Sequence, residues 1–361
     1  MASGVSDSES QFEHGKSKIE NRKSLRARAP LRLGFGGGGT DVAPFSEEHG
    51  GHVLNATIDR YAYATLVPRD DDRITLRSLD LDQEISFRLG EEVPTDTHEL
   101  ALAKGVIRRL AEDRLDTGFT LYTHTDCPPG SGLGASSTVV VALIGVLDRW
   151  LQLGLGRYEA ARLAFEIERL DLGIQGGKQD QYAANFGGFN FMEFGPEGRV
   201  LINPLRVPPE WTSELEYALV LAFSGKSRSS SDIIADQIDN AEAKREKPLR
   251  AMRRTKELAT SMKHALLRGQ FRAFGELLHE AWGVKKQMSA KISTPQIEKL
   301  YEAAREAGAL GGKVSGAGGG GFMFFFTDFD RRHHVERALA QRGADVVHFG
   351  FTNAGLETWV R

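Results

Sequence analysis

Apolar and polar positions change period repeatedly along this chain, and each change predicts an element. Phe119, Leu121 and Thr123 alternate with Thr120, Tyr122 and His124 at the two-residue period of a strand. From Ser137 to Leu151 the apolar run is almost unbroken and long enough for a buried helix. Upstream, LRARAPLRLGF reads as a strand opening the ordered chain near Leu25. HVLNATI, YAYATLVP, RITLRSL and QEISFRL read as short strands of a largely antiparallel sheet, separated by Asp, Gly and Arg clusters. HELALAKGVIRRLAEDRL reads as an amphipathic helix. Both faces of the sheet have helices to cover them, which is α+β rather than a repeating βαβ array.

Downstream, RYEAARLAFEIERLDLG predicts a helix with Glu159, Arg162, Glu166 and Arg169 on its polar side. Glu168 falls instead with Ala161, Ala164, Phe165 and Leu172 on the apolar stripe. There a carboxylate is paired, protonated or metal-bound, unless it reaches solvent from the stripe's edge. PPEWTSELEYALVLAF reads as entry into a new strand, followed by long charged helices from Ile233 to about Lys286 and a helix from Thr294 to Ala307. LGGKVSGAGGGGFMFFFTDF gives a second glycine hollow and an apolar strand, and RRHHVERALAQRG and ADVVHFGF close the chain as helix and strand. The change of character near Arg206 divides the chain into an extension (1–24), a first domain (25–206) and a second (207–361).

Composition narrows the function. At 361 residues two domains are expected. A formal charge of −3 argues against a dominant nucleic-acid or anionic-membrane surface. Cys127 is the sole cysteine, so no intrachain disulfide can form, and a reducing, cytoplasmic setting is expected. No stretch is apolar enough to span a membrane, and the first 24 residues read as a disordered extension without a signal peptide's apolar centre. The ten histidines show no zinc spacing, and His333 and His334 read as a solvated helix face.

The candidate chemistry lies in the loops. In PPGSGLGASS, Gly130, Gly132 and Gly134 permit the backbone to gather its N–H groups in one hollow at a helix start, a setting for phosphate. The alternative is a tight strand-to-helix turn. The loop lacks the Gly-Lys-Ser/Thr ending of a P-loop and the spacing of a dinucleotide fingerprint. Of Ser136 and Ser137, one could ligate a metal or phosphate and the other cap the helix. Lys178 and Asp180 lie on a glycine-rich bend, compatible with a functional loop or an ordinary surface turn. Lys226, Arg228 and Ser229–Ser231 offer an anion site, or simply an exposed loop. The glycines of 316–321 imply close backbone approach, to a ligand or to the first glycine loop.

Three of these segments, APLRLGFGGGGTD, PPGSGLGASS and KVSGAGGGGFMFF, resemble in order and spacing the three motifs of the GHMP kinases. The resemblance covers the chain from about Leu25 onward. It implies an N-terminal domain with a left-handed βαβ crossover, a ferredoxin-like C-terminal domain, and ATP with Mg²⁺ in the cleft between them. It further implies that residues 130–137 wrap the nucleotide phosphates, with Pro129, Ser131, Leu133 and Ala135 in the same loop, and that Ser136 and Glu168 hold Mg²⁺. Asp180 would orient or deprotonate the attacking hydroxyl, Arg32 would lie beside it and the transferred phosphoryl, and Gly316, Gly318 and Gly319 would buttress the phosphate loop. Asp41 and Thr40 correspond to the acceptor-binding end of the galactokinase signature APGRVNLIGEHTD. Gly38 and Gly39 replace its Glu and His, which leaves room and free amides for a bulkier sugar.

GGGGTD, GGKQDQYAANFGG and GKSRSSSDII are similar to the D-glycero-D-manno-heptose 7-phosphate kinases, which phosphorylate the anomeric hydroxyl. On that resemblance Lys178, Lys226, Arg228 and Ser229 join the substrate contacts, the last three reading the phosphate the acceptor carries. The expected partners are ATP and a sugar phosphate, with no nucleic acid or membrane, and a homodimer is compatible with the sequence. The rivals are a neutral-sugar kinase of the same fold, such as an L-fucokinase or galactokinase, and a catalytically silent sugar and ATP sensor. A Rossmann oxidoreductase fails because Thr40, Asp41 and Pro44 follow GFGGGG where a helix should open.

Overall fold

The computed structural model describes residues 23–361 apart from 94–99, 112–113, 226–229 and 244. In chain order the first part comprises β1 (Leu25–Gly36), α1 (Phe45–His49), β2 (Gly51–Pro68), β3 (Arg73–Ser78), β4 (Gln83–Arg88), α2 (Ala101–Leu110), β5 (Phe119–Thr125), α3 (Ala135–Leu151), α4 (Arg157–Glu166), α5 (Gln179–Phe186), β6 (Phe189–Phe194) and β7 (Val200–Pro204). There follow α6 (Pro209–Ala218), β8 (Leu219–Phe223), α7 (Ser230–Glu242), α8 (Glu246–Leu267), α9 (Phe271–Lys285), α10 (Pro295–Glu306), β9 (Ala309–Val314), β10 (Phe322–Thr327), α11 (Arg332–Ala340), β11 (Asp345–Val347) and β12 (Glu357–Val360).

The expected α+β, two-domain arrangement is present. One sheet runs β12-β1-β2-β5-β3-β4, with β6 and β7 branching from β2; the other runs β11-β8-β10-β9. Taken in chain order, that second sheet is 4-1-3-2, the ferredoxin-like order. The parallel pair of the first sheet is β3 with β5, joined through β4 and α2. Its core is built on α3, whose Val140, Leu143, Ile144 and Leu147 are fully buried. Each such side chain contributes about 1.5–3 kcal/mol by leaving water.

A second core joins the two sheets. Leu31, Leu33 and Phe35 of β1 cluster with Leu221, Phe274, Phe322 and Phe324 from the other side. Phe35 meets Phe274 and Phe324 edge-on, with centroids 5.4 and 5.8 Å apart. This shared core fixes β1, and with it Arg32, against the second glycine loop.

Some elements differ from the sequence reading. HVLNATI and YAYATLVP form one strand, β2, because Asp59 and Arg60 do not turn. Asp59 N–H donates to the Gly350 carbonyl (2.9 Å), and the strand passes from pairing with β6 to pairing with β5. PPEWTSELEYA is the helix α6, not the start of a strand, with Pro209 in its first turn; the strand begins at Leu219. The last strand, β12, returns to pair with β1, Leu25 opposite Val360. Among the described residues no helix is long and apolar enough to cross a membrane.

Candidate active site

A cavity of about 310 Å³ opens where β1, the loop before α3, the first turn of α5 and the last turn of α9 meet. Its floor is the first glycine loop. Gly130, Gly132 and Gly134 have φ of +71°, +78° and +81°, a region open to glycine at little cost. Gly134 starts α3 with no side-chain cap, which leaves the first-turn amides for a ligand.

The second glycine loop approaches the first. A Cβ on Gly132 would lie 2.5 Å from the Ser315 carbonyl oxygen, and one on Gly316 would lie 2.8 Å from Gly132 Cα. Phe322 N–H donates to the Ser131 carbonyl at 2.8 Å. The close approach implied by the glycine run is therefore to the other loop. Gly316 lines the cavity, whereas Gly318 and Gly319 stand behind it, with Gly319 N–H on the Ile292 carbonyl (2.8 Å). Neither Pro129 nor Leu133 lines the cavity: Pro129 is exposed, and Leu133 belongs to the core while its carbonyl accepts Arg32 N–H at 3.0 Å.

Neither serine caps α3. Ser136 is exposed to the cavity, while buried Ser137 donates its Oγ hydrogen to Glu168 Oε1 at 3.0 Å. Glu168 sits on a π-turn, Ile167–Asp171, that continues α4, and is 1% exposed. Gln181 Nε2 donates to its other oxygen at 2.6 Å. Burial pushes this carboxyl above the usual carboxylate range, against the nearby charge of Arg169.

The same π-turn corrects the expectation for Arg169. The extra residue rotates its side chain off the polar face into the cavity wall, where Nη1 stands 3.6 Å from Glu168 Oε1 and donates to the Ile174 carbonyl.

Arg32 and Asp180 come together. Arg32 Nε and Nη2 lie 2.8 and 2.6 Å from Asp180 Oδ1, and Nη1 donates to the Gly132 carbonyl at 2.6 Å. The carboxylate is thus tied through one arginine to the glycine cradle. Asp180 also crowds it directly, since a Cβ on Gly134 would lie 3.1 Å from Asp180 Cγ.

The acceptor-side residues divide. Gly38, Gly39 and Asp41 line the cavity. Asp41 accepts Gln179 N–H at 3.0 Å and Gly39 N–H at 3.2 Å, so it anchors both the α5 start and the glycine turn. Thr40 is internal to that turn, donating to the Gly37 carbonyl at 2.8 Å, and does not line the cavity. Lys178 does not either; its Nζ pairs with Glu47 at 3.0 Å. Lys226, Arg228 and Ser229 lie outside the described residues.

Lining residues that the sequence did not single out include Lys285 from α9, Gln237 from α7 and Gln179 from α5. Lys285 is 3% exposed and donates to the Gly316 carbonyl. Burial first, and then the charge of Arg32, push its pKa down to about 8.

Cys127 is buried beside the loop, its thiol pushed up to about 11 by burial, as befits packing rather than reactivity.

The residues fit Mg²⁺. Buried Glu168 and exposed Ser136 both line the cavity beside a phosphate-sized cradle. Among the described residues no three-residue cage of His, Cys, Asp or Glu exists. A cation that keeps waters and takes its other ligands from substrate phosphates suits that sparse donor set.

The chain matches the family models for the GHMP kinases N terminal domain over residues 101–188 and GHMP kinases C terminal over residues 262–345. It is 43% identical over 339 residues, 93% of this chain and 99% of the relative, to the D-glycero-alpha-D-manno-heptose 7-phosphate kinase of Campylobacter jejuni. Among solved structures, a D-glycero-D-manno-heptose 1-phosphate kinase from Bacteroides thetaiotaomicron is similar with a TM-score of 0.78 and 40% identity, covering 93% of this chain and 98% of that one. Lactococcus lactis galactokinase complexed with galactose shares the fold at 21% identity and a TM-score of 0.75, over 96% of this chain and 98% of the other.

Proposed function

This chain belongs to the GHMP kinases and is an ATP-dependent sugar kinase, and we propose that its acceptor is D-glycero-D-manno-heptose 7-phosphate, phosphorylated on the anomeric hydroxyl to the 1,7-bisphosphate. The product would feed nucleotide-activated heptose for surface polysaccharide. Support for the acceptor comes from the 43% identity to the Campylobacter enzyme over nearly its whole length. The chemistry rests on one observation, the Asp180 carboxylate held by Arg32 at the edge of the glycine cradle.

In this reading residues 130–137 wrap the ATP phosphates, with the uncapped first-turn amides of α3 turned to them, and Ser136 and Glu168 would hold Mg²⁺. When bound, that ion supplies neutralisation of phosphate charge. Asp41, braced by Gln179, forms the acceptor wall with Gly38 and Gly39. Asp180 Oδ2 takes the proton of the anomeric hydroxyl as that oxygen bonds to the γ-phosphorus. The bond from the γ-phosphorus to the bridging oxygen breaks, and ADP leaves with its electron pair. Arg32 keeps Oδ1 occupied, so the carboxylate is fixed before the acceptor arrives.

The phosphate already on the acceptor would meet Lys226, Arg228 and Ser229. Phosphorus NMR of the product tests this proposal. A second resonance from an anomeric phosphate, coupled to the anomeric proton, supports it; phosphorylation at any other carbon, or turnover of neutral sugars alone, refutes it. Arg228→Ala should raise the KM for the sugar phosphate, and an unchanged KM removes that residue from the acceptor site.

A further inference from the structure

Resting on the kinase reading of this cavity, we propose that Lys285 is a further catalytic residue, its ammonium paired with an oxygen of the phosphoryl group in transfer.

Lys285 ends α9, in the second domain, yet its amine reaches the first. A Cβ on Gly38 would lie 3.9 Å from Nζ, while Nζ itself donates to the carbonyl of Gly316, which packs on Gly132 of the phosphate cradle. The cation therefore stands where the acceptor turn and the nucleotide loop meet. It has no carboxylate within ion-pair distance among the described residues, whereas Arg32 has Asp180. The charged groups around it are Arg32 and Asp41 from the first domain and Lys313 from β9, whose own Nζ is spent on the Gly34 carbonyl at 2.7 Å. Arg32 is a fixed like charge beside it, and burial first, then Lys285 and Arg32, push the Lys313 amine well below its usual value.

A buried ammonium beside a like charge is costly to fold around. It becomes favourable once an anion enters, and the cavity it lines is the ATP and acceptor cavity. The contact with Gly316 and the proximity of Arg32 place it at the transferred group rather than at a remote phosphate on the acceptor. Charge that builds on the phosphoryl oxygens during transfer would then meet a fixed cation that needs no reorganisation.

The test uses the full-length protein with Mg²⁺, comparing wild type, Lys285→Met and Lys285→Arg. Calorimetry gives the affinity for ADP and for the imido analogue of ATP, and steady-state kinetics gives kcat and each KM. Lys285→Met should erase about tenfold of the preference for the triphosphate analogue over ADP. It should lower kcat by about 10²–10³-fold and leave the acceptor KM nearly unchanged. Lys285→Arg should restore part of both. An unchanged analogue preference, or a loss confined to the acceptor KM, would overturn the proposal. The nucleotide comparison needs no acceptor, so it reads Lys285 even if the acceptor assignment fails.

Discussion

Arg32 places two guanidinium nitrogens on a single oxygen of Asp180, Nε at 2.8 Å and Nη2 at 2.6 Å from Oδ1. Among the described residues Oδ2 receives no donor. One oxygen is thus locked and the other left for a proton. Asp180→Asn keeps the shape and removes the base. Its kcat should fall by about 10²–10⁴-fold while binding of a non-hydrolysable ATP analogue is retained. Near-normal turnover would show that another group, or none, takes the proton.

Glu168 lines the cavity, and Ser137 Oγ and Gln181 Nε2 each donate to one of its two oxygens. Such bracing orients a metal ligand. Glu168→Gln should raise the half-saturating Mg²⁺ concentration by about 10–100-fold, with a smaller change in the affinity for metal-free ADP. An unaltered Mg²⁺ requirement would remove Glu168 from the metal site.

How far the site could be read from the sequence depended on the range of the cause. The glycine loops announce themselves because an unusual backbone needs an unusual residue, and Glu168 stood out as a carboxylate on an apolar stripe. Lys285 gave no such signal. It adjoins Lys286 in a charged helix, and a rotation of about 100° decides that Lys286 pairs with Glu298 at 2.9 Å while Lys285 enters the cavity. The inward turn of Arg169 needs a π-turn that no local pattern specifies. β12 is four residues long and exists because β1 offers it an open edge at Leu25–Arg28, a fact held more than three hundred residues away. Long-range pairing likewise kept β2 whole.

The contact between the glycine loops predicts unequal costs for equal substitutions. Gly154 has φ +70° with nothing within 4 Å of a built Cβ, so Gly154→Ala carries backbone strain alone, about 1–2 kcal/mol. Gly132→Ala carries similar strain and also drives a methyl group toward the Ser315 carbonyl. Urea unfolding should show it costlier by about 1–3 kcal/mol, with weakened ATP binding. Equal losses in the two variants would mean that the loops part without cost.

The ammonium of Lys285, with its pKa pushed down to about 8 by burial and Arg32, gives activity and stability opposite pH trends. In the free enzyme the charge is present below about pH 8 and is lost above it, so wild-type kcat/KM for MgATP should fall through that value and Lys285→Arg should lack the limb. The folded chain releases this proton before the unfolded chain does, near 10.5, so the destabilisation it causes is relieved as pH rises between the two. The stability advantage of Lys285→Met over wild type should therefore shrink above about pH 8. A wild-type limb that persists in Lys285→Arg assigns the titration to another group.

The most direct measurement is ADP release with MgATP across a small acceptor panel: D-glycero-D-manno-heptose 7-phosphate, mannose 6-phosphate, galactose, L-fucose and mevalonate. The account predicts turnover with the heptose phosphate at a kcat/KM at least about 100-fold above every neutral acceptor, because a site built to pair with a phosphate rejects an analogue that lacks one. Preference for galactose or L-fucose would contradict it, and binding of ATP and sugar with no ADP released would contradict catalysis itself.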